Sequence, residues 1–116
     1  MSNKFKPAFL GIKDLILYDH SIRIHLVIAL VVCAAGWFFD ISALEWLVII
    51  LCIGFVLVAE AFNAAIEKLC DLVEDQYNSR IKTVKDISAG SVLIAAIISV
   101  IAGFIIFLPK IMMIPG

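Results

Sequence analysis

Four polar side chains recur at helical spacing at the end of a long apolar run, namely Glu60, Asn63, Glu67 and Asp71. Separations of three, four and four residues place them within an arc of roughly 80° on one helix face. Glu60 has apolar sequence on both sides, so we expect it at or below a membrane surface. A carboxylate there costs about 2.5 kcal/mol or more, and such residues usually mark functional sites. The pattern therefore predicts chemistry at a membrane interface.

The spacing of these groups along the helix divides the chemistry by depth. The sequence contains no G-x-x-x-x-G-K-[ST] or G-x-G-x-x-G phosphate loop, so a bound nucleotide would need a divalent metal on carboxylates, with lysine as a point charge. The predicted cytoplasmic loop offers such a set: Glu67, Asp71 and the consecutive pair Lys85-Asp86. Glu60, about two turns closer to the membrane, would reach a lipid hydroxyl and suit a general base.

Other interpretations of the same residues stay open at this point. Glu60 with Asn63 also fits a proton or cation relay of the kind found in small transporters. Asp71 is compatible with ordinary loop polarity, and we interpret Glu74 and Asp75 as a solvated charge pair. A non-enzymatic membrane scaffold is the third possibility.

The composition identifies an integral membrane protein of a single domain. The chain has 116 residues, 64% of them hydrophobic, and a mean hydropathy of +1.13, whereas soluble domains contain roughly 45–50% apolar residues. Apolar runs predict three transmembrane helices at about 24–39, 46–66 and 87–108. The second, at roughly 31 Å, is long enough to cross the hydrocarbon core.

Lysine and arginine predict the orientation of these helices. Eight of the nine basic residues precede the first span or lie between the second and third, and only Lys110 follows the third. The positive-inside rule therefore places the N-terminus and the loop at about 67–86 in the cytoplasm. The acidic residues of that loop would face the compartment that contains ATP.

A helix lying in the membrane surface is predicted at about 4–19. One face of it is apolar and another is basic: Phe5, Phe9, Ile12 and Ile16 against Lys6 and Lys13. Asp19 continues the apolar stripe, and if the helix extends that far and docks against the second span, Asp19 and Glu67 would form a suitable magnesium pair. Alternatively, Asp19 and His20 end the helix in a solvated turn. His25, at the start of the first span, fits an interfacial hydrogen-bonding role.

The third span predicts self-association. A small residue occupies every fourth position, which lets helix backbones approach closely in lipid: Ser91, Ala95, Ser99 and Gly103. Three spans also offer little shielding for Glu60, Asn63 and Glu67. We therefore expect an oligomer with the polar face at a subunit interface.

Two spaced motifs resemble the small prokaryotic diacylglycerol kinases, in particular their undecaprenol kinase branch. The pattern E-x-x-N-x-x-x-E-x-x-x-D begins at Glu60, and Val84-Lys85-Asp86-Ile-Ser-Ala-Gly90-Ser-Val is similar to the element that opens the family's third span. Phe9-Leu-Gly-Ile-Lys13 and Arg23-Ile-His25 are also similar. The resemblance covers roughly residues 4 to 110.

The resemblance implies a fold, a reaction and a set of site residues. The fold would be all-α, with three transmembrane helices and an amphipathic surface helix per subunit, assembled as a homotrimer in the bacterial cytoplasmic membrane. The reaction would transfer the γ-phosphoryl group of ATP to a lipid hydroxyl with Mg²⁺, with no nucleic-acid partner. By position, Glu60 matches the base, Asn63 an adjoining polar group, Glu67 a metal ligand, and Lys85 and Asp86 nucleotide contacts.

Three further positions qualify the resemblance. Tyr77 lies where the family's loop approaches the nucleotide, between Gln76 and Asn78. Asp19 stands where the family usually has Glu, which shortens the reach to the metal by one methylene. Ala64 replaces a common Ser or Thr and removes one hydroxyl. We interpret the chain as a lipid kinase that holds ATP·Mg through Asp19, Glu67, Lys85 and Asp86, with undecaprenol favoured over diacylglycerol as the acceptor; a small proton-coupled transporter is the rival of another class.

Overall fold

The computed structural model describes residues 4–114, and every regular element in that range is a helix. In chain order these are α1 (Phe5–Tyr18), α2 (His20–Phe38), α3 (Ala43–Val73) and α4 (Ser79–Met112). α3 packs against α4 along much of its length, α2 packs against α3, and α1 contacts α2. α2, α3 and α4 are each long and apolar enough to cross a membrane.

The break between α1 and α2 is a single residue, Asp19. Its extended backbone (φ −105°, ψ 114°) ends α1, and its side chain caps α2 by accepting hydrogen bonds from the backbone N–H groups of Ser21 (2.8 Å) and Ile22 (3.3 Å). The guanidinium of Arg23 donates to the carbonyl of Leu17 (2.9 Å), which satisfies the end of α1. The predicted surface helix therefore stops one residue early, because Asp19 stabilises the start of α2 better than it would extend α1.

α3 and α4 extend well beyond the spans predicted from hydropathy. A capping box of Ser42 and Glu45 begins α3, and the Asn78 side chain caps the start of α4. Nothing in residues 67–73 or 79–86 breaks a helix, so the connection expected at 67–86 is non-helical only at 74–78. Polar sequence ends the membrane-embedded part of a helix without ending the helix itself.

The far end of the bundle is held by a small core and one ion pair. Ile41, Ile49 and Ile106 form the buried cluster. Lys110 Nζ lies 3.1 Å from Glu45 Oε2, joining the end of α4 to the start of α3. α4 continues through Pro109, where we expected the third span to stop, and ends at Met112.

At Gly36, α2 lies directly against the Trp46 side chain of α3. A Cβ atom at this position would lie 2.9 Å from Trp46 Cη2 and 3.0 Å from Ile41 Cδ1. The rigid indole ring leaves no room for a methyl group, so glycine allows the two helices to pack at this distance.

We predict that Gly36→Ala destabilises the protein by about 1–3 kcal/mol, the usual cost of overpacking a filled core. Thermal or denaturant unfolding in detergent measures the effect. Gly54→Ala is the matched control, because a Cβ there meets nothing within 4 Å and alanine has the better helix propensity. An unchanged midpoint for Gly36→Ala would contradict the packing described here.

The surface position of α1 and the oligomeric state stay predictions. α1 buries none of its residues, and its apolar stripe is exposed in the single subunit, from Phe5 (69%) to Ile16 (38%); this is compatible with a helix lying in a membrane surface. Much of the apolar surface of α4 is exposed as well, as expected for contact with lipid or with further subunits.

Candidate functional site

The polar face of α3 passes from the interior of the bundle to its surface. Glu60 and Asn63 are only 4% and 8% exposed, whereas Glu67 and Asp71, one and two turns further along, are exposed. The expectation that one subunit could not shield Glu60 and Asn63 is therefore wrong. Both residues are buried within the single subunit, with His25 of α2 against Glu60, whereas Glu67 and Asp71 are left open.

Glu60 contacts one basic side chain within residues 4–114. Nε2 of His25, on α2, lies 3.5 Å from Oε2 of Glu60, and the His25 side chain is 22% exposed. The carboxylates of Asp19 and Glu67 are close enough to act on Glu60 with like charge. His25 is thus the basic group that contacts Glu60 in the described part of the chain.

A cavity of about 330 Å³ lies where α1, α2 and α3 meet, and both carboxylates of the predicted magnesium pair line it. Asp19 reaches it from the α1–α2 break, and Glu67 and Asp71 reach it from α3. Asp19 is half-buried and uses Oδ1 to cap α2. Asp19 ends α1, but not in a solvated turn with His20, because His20 already begins α2. The Asp19 carboxylate lies on the same cavity as Glu67.

The donor chemistry of this cavity fits a magnesium–nucleotide complex rather than a closed metal site. Within residues 4–114, no three His, Cys, Asp or Glu side chains are arranged to hold a metal by themselves. Mg²⁺ usually takes one or two carboxylates together with substrate phosphates and water, and Asp19 and Glu67 supply two hard oxygen ligands on one open cavity.

Lys85 and Asp71 form an ion pair between α4 and α3. Lys85 Nζ donates to Asp71 Oδ1 at 2.7 Å. Lys85 precedes the apolar part of α4, and this hydrogen bond raises the pKa of its ammonium, so the lysine is charged at neutral pH. The pair lies beside Glu67 on the surface, where a lysine supplies positive charge to phosphate.

Asp86 and Tyr77 form no hydrogen bond or ion pair with the other predicted site residues within residues 4–114. Asp86 pairs with Lys82 one turn earlier in α4, at 2.6 Å, and both side chains are largely exposed. Tyr77 lies in the 74–78 connection and is 83% exposed. The single subunit does not bring either residue to the cavity that Asp19 and Glu67 line.

An apolar cavity of about 150 Å³ begins at His25 and runs between α2, α3 and α4. Its lining is aliphatic apart from His25, Cys52 and Ser99, and it includes Ile28, Val32, Ile53, Val56, Leu57 and Ala96. Since His25 also contacts Glu60, this cavity is adjacent to the buried carboxylate.

Two buried side-chain oxygens lack a hydrogen-bond partner within residues 4–114. These are Asn63 Oδ1 on α3 and Ser88 Oγ on α4. Buried polar atoms are normally satisfied. An unsatisfied amide oxygen on the same face as Glu60 is therefore available to a bound molecule or to another subunit.

The sequence pattern did not identify His25 as part of the site, nor Ser88 or three residues of the Asp19 cavity, Asp14, Tyr18 and Lys68. Asp14 and Tyr18 belong to a helix whose docking position hydropathy cannot predict. The sequence did contain a signal for His25. It follows Asp19 by six residues, and Glu60 precedes Glu67 by seven on the next span, which is antiparallel, so His25 and Glu60 should lie at a similar depth.

Comparison of the sequence with known proteins identifies the family of the chain. The sequence model of the prokaryotic diacylglycerol kinases matches residues 6–107. The chain is similar to an undecaprenol kinase of Bacillus subtilis, with 36% identity over 93% of this chain and 91% of the relative. It is also similar to a diacylglycerol kinase of Synechocystis, with 32% identity over 93% of this chain and 62% of that protein.

Proposed function

The chain belongs to the prokaryotic diacylglycerol kinase family and is a multi-pass membrane lipid kinase; we propose that it transfers the γ-phosphoryl group of ATP to a membrane lipid hydroxyl, with Glu60 as the general base. The observation that carries the proposal is the position of Glu60, buried at 4% exposure, on the same helix face as Glu67 and adjacent to an apolar cavity. A base beside a lipid-compatible cavity, two turns from a surface carboxylate, suits a reaction between a lipid and a nucleotide.

The apolar cavity would receive part of the acceptor's hydrocarbon chain. His25 lines it and also contacts Glu60, so a chain with its hydroxyl at the His25 end of the cavity would present that hydroxyl toward Glu60. The unsatisfied Asn63 Oδ1 could accept a hydrogen bond from the bound acceptor lipid. We favour undecaprenol over diacylglycerol, because the sequence features Arg23-Ile-His25 resemble the undecaprenol kinase branch and the Bacillus relative is an undecaprenol kinase.

The nucleotide would be held at the surface end of the polar face. Asp19 and Glu67 would hold Mg²⁺ on the cavity that both line, and the bound ion would neutralise charge on the phosphate oxygens. Lys85, fixed by Asp71, would add positive charge beside it. Tyr77 would reach the nucleotide through movement of the 74–78 connection or from an adjacent subunit. Asp86, which lies within α4, would do so from an adjacent subunit, since its own subunit leaves it exposed.

In the reaction, the acceptor oxygen forms a bond to the γ-phosphorus while the bond from that phosphorus to the bridging oxygen breaks. The electron pair of the broken bond leaves with ADP, and the hydroxyl proton passes to Glu60. Burial excludes water from the Glu60 side, which disfavours ATP hydrolysis. Positioning and charge neutralisation supply most of the rate enhancement in phosphoryl transfer.

We further propose a homotrimer in the bacterial cytoplasmic membrane, with α1 on the inner surface and the 74–78 connection in the cytoplasm. The distribution of basic residues supports the orientation. The exposure of Tyr77 and Asp86 supports assembly, because neighbouring subunits would complete the nucleotide site. The small-residue stripe of α4 is used at least partly within the subunit, since Ser99 Oγ donates to the Cys52 carbonyl of α3 at 3.4 Å.

We predict that Lys85→Met raises the KM for Mg·ATP about tenfold or more, a loss of about 1.4 kcal/mol, and leaves the unfolding midpoint nearly unchanged, because an exposed ion pair contributes at most about 1 kcal/mol to stability. Steady-state kinetics at saturating acceptor measure the effect. Arg80→Met makes the same charge change earlier in α4, at an exposed side chain, and should leave the KM unaltered. Equal KM values for the two variants would contradict the role of Lys85.

The test of the proposed function is an acceptor competition in mixed micelles. Purified protein receives ATP labelled in the γ-phosphate, with undecaprenol and diacylglycerol present separately and then together at equal mole fraction, before and after chelation of Mg²⁺. We expect labelled undecaprenyl phosphate to form preferentially and its formation to stop on chelation and return with added Mg²⁺. Label on diacylglycerol alone would contradict the acceptor assignment, and transfer that survives chelation would contradict the metal.

A further inference from the structure

The contact between His25 and Glu60 joins two buried or half-buried polar groups inside an otherwise apolar part of the bundle. Nε2 of His25 approaches one carboxylate oxygen, Oε2, at 3.5 Å. The lysines that form ion pairs within residues 4–114 contact other carboxylates, namely Asp71, Asp86 and Glu45. Neither Asp19 nor Glu67 can replace His25, because both carry the same charge as Glu60.

We propose that His25 is a positioning residue for the phosphoryl-transfer reaction, holding the Glu60 carboxylate through an Nε2–H group donated to Oε2. This inference rests on the proposed function, in which Glu60 is the base. With Oε2 held by His25, Oε1 is the oxygen left to receive the acceptor's proton. Catalytic hydrogen bonds are often long before substrate binds, so the 3.5 Å contact shortens when the acceptor is present.

The location of His25 connects this role to the acceptor. The same imidazole lines the apolar cavity, so an acceptor chain in the cavity would bring its hydroxyl to Glu60 beside His25. Loss of the imidazole ring as a packing group would loosen the cavity, whereas loss of the N–H group alone would free the Glu60 carboxylate. The two effects can be separated by choice of substitution.

Gln and Asn at position 25 separate them. The amide nitrogen of Gln lies where Nε2 of histidine lies, whereas that of Asn lies near Nδ1 and falls short of Glu60. We expect His25→Gln to keep most of the wild-type kcat and His25→Asn to lose about 10- to 100-fold, as removal of a hydrogen-bond partner of a functional group commonly does. The KM for Mg·ATP should change in neither, because the nucleotide residues are untouched.

Equal kcat values for the Gln and Asn variants would overturn the proposal. If both match the wild type, the contact has no function in transfer; if both are inactive while the oligomer and the KM for Mg·ATP are intact, the imidazole ring rather than its Nε2–H group is required. A pH–rate profile adds a second readout: the Gln variant should keep the limb that reports the base, and the Asn variant should alter it.

A second measurement needs no substitution at His25. The chain contains two histidines, His20 and His25, so ¹⁵N-histidine labelling gives two sets of ring signals. Glu60→Gln should shift the His25 signals and leave those of exposed His20 in place. Unmoved His25 signals would overturn the pair even if the protein is an active lipid kinase, and shifted signals in a protein without kinase activity would leave the pair standing while contradicting the proposed function.

Discussion

Glu60→Gln is expected to lower kcat for lipid phosphorylation by about 10²- to 10⁴-fold, the usual cost of removing a general base. Glutamine has nearly the same shape but cannot accept the hydroxyl proton, so the acceptor oxygen must attack while still protonated. Because Glu60 is 4% exposed and two turns from Glu67, the nucleotide site should be intact. The KM for Mg·ATP should therefore equal that of the wild type.

The stability of this variant distinguishes a base from a structural group. Removing a buried carboxylate relieves a desolvation cost, so the Glu60→Gln oligomer should be at least as resistant to heat as the wild type. Glu74→Gln makes the same change at the edge of the 74–78 connection and should retain activity. Full activity in Glu60→Gln would contradict the assignment of the base and support a scaffold role for the buried charge.

Glu67→Gln is expected to lower kcat/KM for Mg·ATP by at least about 100-fold, the upper end of the loss seen when even an outer partner of a metal ligand is removed. A neutral amide oxygen is a poor replacement for a carboxylate on Mg²⁺. Glu67 is exposed on the cavity it shares with Asp19, so folding should be unaffected. Initial rates across a series of Mg²⁺ concentrations measure the loss, which excess Mg²⁺ should partly reverse.

Asp75→Asn is the matched control for this charge change. Asp75 is exposed in the 74–78 connection, so its removal alters the local charge equally without removing a ligand. If Asp75→Asn were to raise the Mg²⁺ requirement as much as Glu67→Gln does, the effect would come from the general surface potential, and Glu67 would lose its assigned role.

The main elements of the fold follow from hydropathy and periodicity. Apolar runs predict α2, α3 and α4, because a chain segment in lipid must satisfy its own backbone hydrogen bonds and does so as a helix. The spacing of Glu60, Asn63 and Glu67 places them on one face of a helix, and α3 runs unbroken through all three. The first two are buried and the third lines the cavity that it shares with Asp19.

The remaining features depend on contacts between distant parts of the chain. Hydropathy cannot show that α3 and α4 continue beyond the apolar runs, since helix length there is decided by the caps at Ser42 and Asn78 and by the absence of a breaker. The shielding of Glu60 was also missed. At 1.5 Å per residue, His25 lies roughly 9 Å beyond Asp19, and Glu60 roughly 10.5 Å beyond Glu67, so antiparallel packing brings the two to one depth.

The most direct test of the central claim follows the label from ATP into lipid. Purified protein in micelles containing undecaprenol receives Mg·ATP labelled in either the α- or the γ-phosphate, and the extracted lipid is counted after a single turnover. We predict label in the lipid from the γ-position only, at a ratio of one phosphate to one ADP formed. Absence of label from either position, in a folded oligomer that forms ADP, would contradict phosphoryl transfer to lipid as the reaction of this site.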